Sequence, residues 1–339
     1  MNDRFIQQKR FQMLGTEGQQ RLQEACVTII GCGALGSAAA DILARAGIGT
    51  LILVDRDYVE ISNLHRQTLY TEQDANEMIP KVEAAKRRIN QVNQHVQVKT
   101  VFDHADAELI EQFAKRSDIM VDGTDNFETR LIVNDASLKH QIPWIYGACV
   151  GSTSVVKSFY SDSSACFRCL LPALPATNDT CATVGVIAPA VYMTAAFQCA
   201  EVFKYLCGDK DNMKKKLVWL DVWTNQQHQF GIENMKRSDC PSCGEKRMYP
   251  ALQRSAQTKY ASFCGRDSVQ IIPAKGRTLT LDDGENIAKK QRLPSKRTPY
   301  FVQIEYGGSR VMIFANGRIH VHGIQDVNEA KSLYHQLFG

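Results

Sequence analysis

No stretch of this 339-residue chain is apolar for long enough to cross a bilayer without interruption. The longest, "VGVIAPAVYMTAAFQCAEVFKYL" at 184–206, is broken by Gln198, Glu201 and Lys204 and carries Pro189 near its front. It reads as a buried helix, and no membrane partner is expected. The opening "MNDRFIQQKRFQML" lacks the apolar core of an export signal, which predicts a cytoplasmic protein. An excess of one charge is lacking too. Forty Lys and Arg face 36 Asp and Glu, and the net charge of +4 is too mild to argue for nucleic acid. The basic runs, "KKK" at 214–216 and the Lys/Arg-rich 289–297, read as solvated loop faces. Internal repeats and low-complexity segments are absent as well.

What is present suffices for a full core with a small extra domain, since 44% of the residues are hydrophobic. Eleven cysteines without an export signal point to reduced thiols and metal, not to a disulfide framework. A helix over 16–24 leads into a β-branched strand at 26–31, a glycine turn, a helix over 34–46 and a strand at 50–55. Further strand patterns fall at 97–102, 118–123 and 143–148. Strands alternating with helical segments predict a doubly wound, mostly parallel α/β sheet of Rossmann-like form. After 150 the pattern changes. "STSVVKSFYS" alternates like an antiparallel strand, a long helix follows over 187–207, and two strand-like runs lie within 216–232. Beyond about 250, Asn316-Gly317 between alternating runs signals a hairpin. Asp326 with Glu329 marks the start of a closing helix. Three regions result: a nucleotide-binding half (1–150), a second half (151–249), and a small α+β C-terminal module (250–339).

"GCGALG" places Gly31, Gly33 and Gly36 between a strand and a helix, where missing side chains let backbone N–H groups approach a phosphate. Asp55 ends the next strand, where a carboxylate can hold a ribose hydroxyl. These features by themselves suit NAD as readily as ATP. The following segment, "DRDYVEISNLHRQTLY", adds Asn63, Arg66 and Gln67, and Lys81 follows in "PKVEAAKRR". A hydride-transfer cofactor needs no such cations. Breaking the α–β bond of a triphosphate develops charge that Arg and Lys can stabilise. "VDGTDN" then sets Asp122, Asp125 and Asn126 at the carboxyl end of a strand. A carboxylate beside a triphosphate calls for Mg²⁺, so Asp125 reads as a magnesium ligand; capping the next helix is the other reading for this trio.

As an ordered set, these motifs with the paired C-x-x-C sequences resemble the bacterial E1-like activating enzymes of the MoeB/ThiF family, over residues 4–245. The resemblance implies MgATP-dependent adenylation of the C-terminal glycine of a small ubiquitin-like sulfur carrier (ThiS- or MoaD-like, ending in Gly-Gly), with release of pyrophosphate. By position, Asp55 matches the family's ribose ligand, Asn63, Arg66 and Lys81 its phosphate ligands, and Asp125 its magnesium aspartate. It also implies a homodimer and a carrier-binding role for 151–249. With no rhodanese domain in the chain, sulfur would come from a separate donor protein. One departure stands out. Gln7 occupies the position of an arginine that reaches ATP from the partner subunit, and Arg4, Lys9 or Arg10 are the cations that could substitute. An NAD-dependent oxidoreductase and a non-catalytic carrier scaffold are the alternatives.

"CFRC" (Cys166, Cys169) pairs with "CPSC" (Cys240, Cys243). Four thiolates in two knuckles can close a tetrahedral Zn²⁺ site, and one redox pair would need no second. Cys26, Cys32, Cys149, Cys199, Cys207 and Cys264 read as buried small hydrophobes. Cys181, in a polar loop before the long helix, is the one candidate reactive thiol: a possible covalent carrier site or a dispensable exposed thiol.

Overall fold

The computed structural model describes residues 3–160, 164–173, 184–213, 215–253, 259–262, 268–272, 279–324 and 326–338. Cys181 and Cys264, and the proposed roles of each, lie outside these residues. The chain divides into two units, Met1–Arg254 and Ser255–Gly339.

In the first unit, β1 (Cys26–Ile30), β2 (Thr50–Val54), β3 (Gln97–Val101), β4 (Ile119–Asp122) and β5 (Trp144–Val150) pair in parallel in the order β3-β2-β1-β4-β5. β6 (Thr153–Phe159), β7 (Leu217–Asp221) and β8 (Gln226–Phe230) extend the same sheet in antiparallel fashion. The change of direction is local: Gly151, at φ +60°, and Ser152 form a two-residue hairpin loop that opposes Val150 to Thr153. The central strands are covered on both faces, and so read as runs of Val, Ile and Leu. The one polar residue inside β1, Thr28, meets Ser117 Oγ at 2.6 Å, so its buried hydroxyl has a partner.

The helices are α1 (Ile6–Arg10), α2 (Gly15–Glu24), α3 (Ala34–Ala46), α4 (Glu72–Asn76), α5 (Lys81–Val92), α6 (Ala107–Ala114), α7 (Phe127–His140), the short α8 (Phe167–Leu170) and α9 (Ala188–Cys207). The apolar run of the sequence is α9, with Pro189 in its first turn, where a missing N–H costs nothing. It packs on α3 through small residues: Ala39, Ala195 and Cys199 share one buried cluster with Leu43, Val191 and Val202. Its polar interruptions have partners. Gln198 Nε2 donates to the carbonyls of Asp122 and Ile145 at 2.8 and 3.2 Å, and Glu201 accepts from Ser158 and Lys204. No described helix is long and apolar enough to cross a membrane.

From its carboxyl end β1 connects through α3 to β2 on one side, whereas its neighbour β4 connects through α7 to β5 on the other, so the connections diverge between β1 and β4. That is the switch point at which open α/β sheets bind ligands. Gly31 follows β1 there, and Gly123 follows β4.

The second unit is an antiparallel sheet ordered β11-β12-β13-β14-β10-β9, built from β9 (Lys259–Ser262), β10 (Ser268–Ile272), β11 (Ser295–Arg297), β12 (Phe301–Tyr306), β13 (Ser309–Phe314) and β14 (Ile319–His322). Helices α10 (Leu281–Lys290) and α11 (Val327–Phe338) complete it. Val269, Ile271, Val302, Ile304, Val311, Ile313, Ile319 and Val321 make one face of this sheet, and Ala288, Ala330, Leu333 and Leu337 of the helices join their cluster. The anticipated hairpin is β13–β14, with Gly317 at φ +80°. Asp326 accepts from Glu329 N at 2.9 Å as the expected cap. The sheet is larger than the sequence pattern suggested, because β9 to β12 carry weaker alternation.

Candidate functional site

The glycine turn is built by close backbone contact. Gly31 lies at φ +89°, a conformation that favours glycine. A Cβ on it would stand 2.6 Å from Gly123 O, one on Gly36 would overlap the carbonyl of Gly31, and one on Gly123 would overlap that same oxygen. Gly33 is different: nothing lies nearer than 4.0 Å to where its Cβ would be. Two of the three motif glycines thus serve packing, and Gly33 leaves room at the N-terminus of α3 for a phosphate to approach the backbone. Gly123 is a fourth member of the turn that the spacing did not disclose. Its signal was a glycine directly after an apolar strand.

Asp55 stands at the end of β2 and ties the two strand ends together: its carboxylate accepts from Cys32 N at 2.6 Å and from Asp57 N at 2.7 Å. Burial raises its pKa above the usual carboxylate range, while the nearby Lys81 charge and these two N–H donors pull it back. Lys81 opens α5. It is only 4% exposed, and its Nζ lies 3.2 Å from Asp57 Oδ2. So a carboxylate absent from the expected set holds this lysine beside Asp55.

The segment between them folds back on the glycine turn, where Tyr70 OH donates to Cys32 O at 2.6 Å. Asn63 and Gln67 are buried there, and their Oδ1 and Oε1 have no protein donor. Buried amide oxygens of this kind are what a ligand or its water shell satisfies. Arg66 is partly exposed, with Nη1 donating to Ser62 O at 3.0 Å. His65 is exposed beside it, its ring 3.4 Å from the same Nη1. Cys32, within the turn, is buried, and burial together with the Asp55 charge drives its thiol pKa well up. Its burial agrees with the packing role read from its apolar, glycine-rich surroundings.

The residues of "VDGTDN" divide their roles. Asp122 is buried and accepts from Thr124 N, Thr124 Oγ1 and Arg130 Nε. Asn126 caps α7 through Thr129 N at 2.8 Å, so its side-chain oxygen is taken by the helix. Asp125 is exposed between them. Arg130, not anticipated from the sequence, fastens the whole turn: its Nη2 also donates to the carbonyls of Thr124 and Gly147. Burial works against its charge, but the neighbouring Asp122 outweighs this and raises its pKa.

The four predicted metal cysteines converge. Cys166, Cys169, Cys240 and Cys243 are all buried, with their Sγ atoms within 4.8 Å of one another. They bring together chain segments far apart in sequence, close enough for all four thiols to hold one metal ion. Among the other cysteines, Cys149 and Cys199 are buried as expected, whereas Cys26 and Cys207 are only half-buried; Cys26 is the first residue of β1 and Cys207 the last of α9. At the amino end, Gln7 is exposed on α1. Of the three candidate substitutes, Arg4 donates to Val92 O at 2.9 Å, Lys9 pairs with Asp3 at 2.8 Å, and Arg10 Nη1 lies 3.5 Å from Gln7 Oε1.

Residues 5–242 match the ThiF family, and the chain belongs to it. It is 41% identical over 339 residues, all of both chains, to the sulfur carrier protein ThiS adenylyltransferase of Bacillus subtilis. It is 33% identical over 230 residues to the molybdopterin-synthase adenylyltransferase of Escherichia coli, 68% of this chain and 91% of that one. Among solved structures, E. coli MccB with ATP superposes with a TM-score of 0.62 at 24% identity, covering 72% of this chain and 75% of that one; this likeness concerns the fold. The B. subtilis relative matches the C-terminal unit as well, which lies beyond the span of the family match.

Proposed function

We propose that this protein adenylates the C-terminal glycine carboxylate of a small ubiquitin-like sulfur carrier, consuming ATP and releasing pyrophosphate, in the synthesis of a sulfur-containing cofactor such as thiamine or molybdopterin. The full-length match to a ThiS adenylyltransferase carries this reading, and the site chemistry agrees with it. A carboxylate nucleophile is already ionised at neutral pH, so the reaction requires no general base. The work is positioning and charge stabilisation.

Gly33 and the first N–H groups of α3 take the phosphates, and Asp55 takes the ribose. Lys81, Arg66, Asn63 and Gln67 surround the triphosphate. Lys81 is already desolvated and held by Asp57, so it need not be ordered when charge develops. Asp125, free of any cap bond in the turn that Arg130 fastens, would hold Mg²⁺, which would neutralise phosphate charge when bound. The four cysteines would hold Zn²⁺ as a structural ion. Residues 151–249 would receive the carrier, with a separate protein donating sulfur and a second copy of this chain completing a homodimer.

The test is incubation with candidate carriers and MgATP, reading intact mass for an adenylate at the terminal glycine. No adduct on any carrier, together with no ATP–pyrophosphate exchange, would sink the proposal. Exchange rates of wild type and Gln7→Arg decide whether the missing arginine charge weakens the reaction. A wild-type rate at least equal to the variant's shows that it does not.

A further inference from the structure

Asp135 lies in the middle of α7, inside an apolar stretch, and is completely closed to solvent. A buried carboxylate persists only where donors surround it. Here they come from three separate segments. Oδ1 accepts from Ser242 Oγ at 2.5 Å and from Asn134 Nδ2 at 3.0 Å. Oδ2 accepts from Ala251 N at 2.9 Å and from Arg168 Nη2 at 3.2 Å. Arg168 sits inside the first C-x-x-C knuckle and Ser242 inside the second. Arg168 Nε also donates to Ser242 Oγ at 2.6 Å, joining the two directly. The neighbouring Asn134 takes Phe167 N, next to Cys166, at 2.9 Å. One helix thus grips both knuckles through side chains that are not themselves metal ligands.

We infer that Asp135 is the positioning residue of the four-cysteine site, bridging Arg168 and Ser242 so that the two thiol pairs are held at metal-binding distance before any ion arrives. The inference rests on reading the cluster as a metal site. Four converging thiols repel one another once ionised, and a linkage independent of the metal opposes their separation. The ion then meets a formed cage, and little of its binding free energy is spent on drawing the knuckles together.

The test uses the full chain. Zinc affinity is measured by competition with a chelating dye for wild type, Asp135→Asn, Ser242→Ala and Arg168→Gln, together with melting temperature with and without zinc. Asp135→Asn is expected to lose about 10–100-fold in affinity, with smaller losses in the other two variants. The gap between the zinc-bound and zinc-free melting temperatures should narrow in the same order. A role confined to holding the fold would lower both temperatures together and leave the gap unchanged, which would overturn the inference, as would affinities within twofold of wild type. If Asp135→Asn does not fold, Ser242→Ala and Arg168→Gln decide by the same criteria. A wild-type protein that takes up no zinc overturns the metal reading itself, a result distinct from equal affinities across variants.

Discussion

Replacing Arg130 by methionine should do more damage than its lost contacts suggest. The pair it forms with Asp122 is 2.9 Å long, with side-chain exposures of 7% and 0%. Methionine fills much of the volume but leaves the Asp122 carboxylate with only the N–H and hydroxyl of Thr124. The carbonyls of Thr124 and Gly147 lose their donor too, and the cation over the Tyr146 ring, 5.0 Å from its centroid, is gone. Breaking a buried ion pair from one side costs about 3–5 kcal/mol, mostly from the stranded charge. Adding Asp122→Asn removes that charge, so the double variant should be about 1–3 kcal/mol more stable than the sum of the two single effects predicts. Urea unfolding of wild type, both single variants and the double variant closes the cycle. Strict additivity would refute the reasoning, because it would mean that the carboxylate finds other solvation once the guanidinium leaves.

The glycines separate packing from binding. Gly33→Ala should leave stability within about 0.5 kcal/mol of wild type while ATP affinity, read by calorimetry, falls at least about tenfold, because the added methyl would stand where a phosphate approaches the backbone. Gly123→Ala should instead lower stability by about 1–3 kcal/mol, since its Cβ meets the Gly31 carbonyl and the Gly36 backbone; unchanged unfolding midpoints would contradict this. Lys157 is 1% exposed, and burial pushes its pKa down to about 8 from the usual 10.5, with Glu233 and Glu201 resisting. The folded state therefore holds this proton less tightly than the unfolded chain. Stability relative to Lys157→Met should be lowest below pH 8 and rise by about 3 kcal/mol as the pH goes from 8 to 10.5; a pH-independent difference between the two would refute the assignment.

Local pattern was enough for much of the architecture. The β-branched runs at 26–30 and 50–54, the helix stop at Gly47 and the hairpin at 313–319 each depend on neighbours within a few residues. So does the glycine turn, because the need for backbone without side chains is written in residue type. The two C-x-x-C pairs were legible for the same reason, since knuckle spacing is a property of the short segment. The mid-helix Asp135 in "LIVNDAS" carries a local signal as well, since a charge within an apolar helix stretch demands partners.

What tertiary structure decided is the partnership of groups distant in sequence. Asp57 holds Lys81, Arg130 binds Asp122 and reaches Gly147, Tyr70 closes on Cys32, and Asp135 reaches Arg168 and Ser242. None of these pairings has a periodicity or a spacing to announce it, because each follows from which strand ends, helices and knuckles the fold brings together. Likewise, the sequence alone could show that Gly31, Gly33 and Gly36 form a turn. Only the packing of that turn against Gly123 separates the two that must be small to fit the fold from the one left open to a ligand.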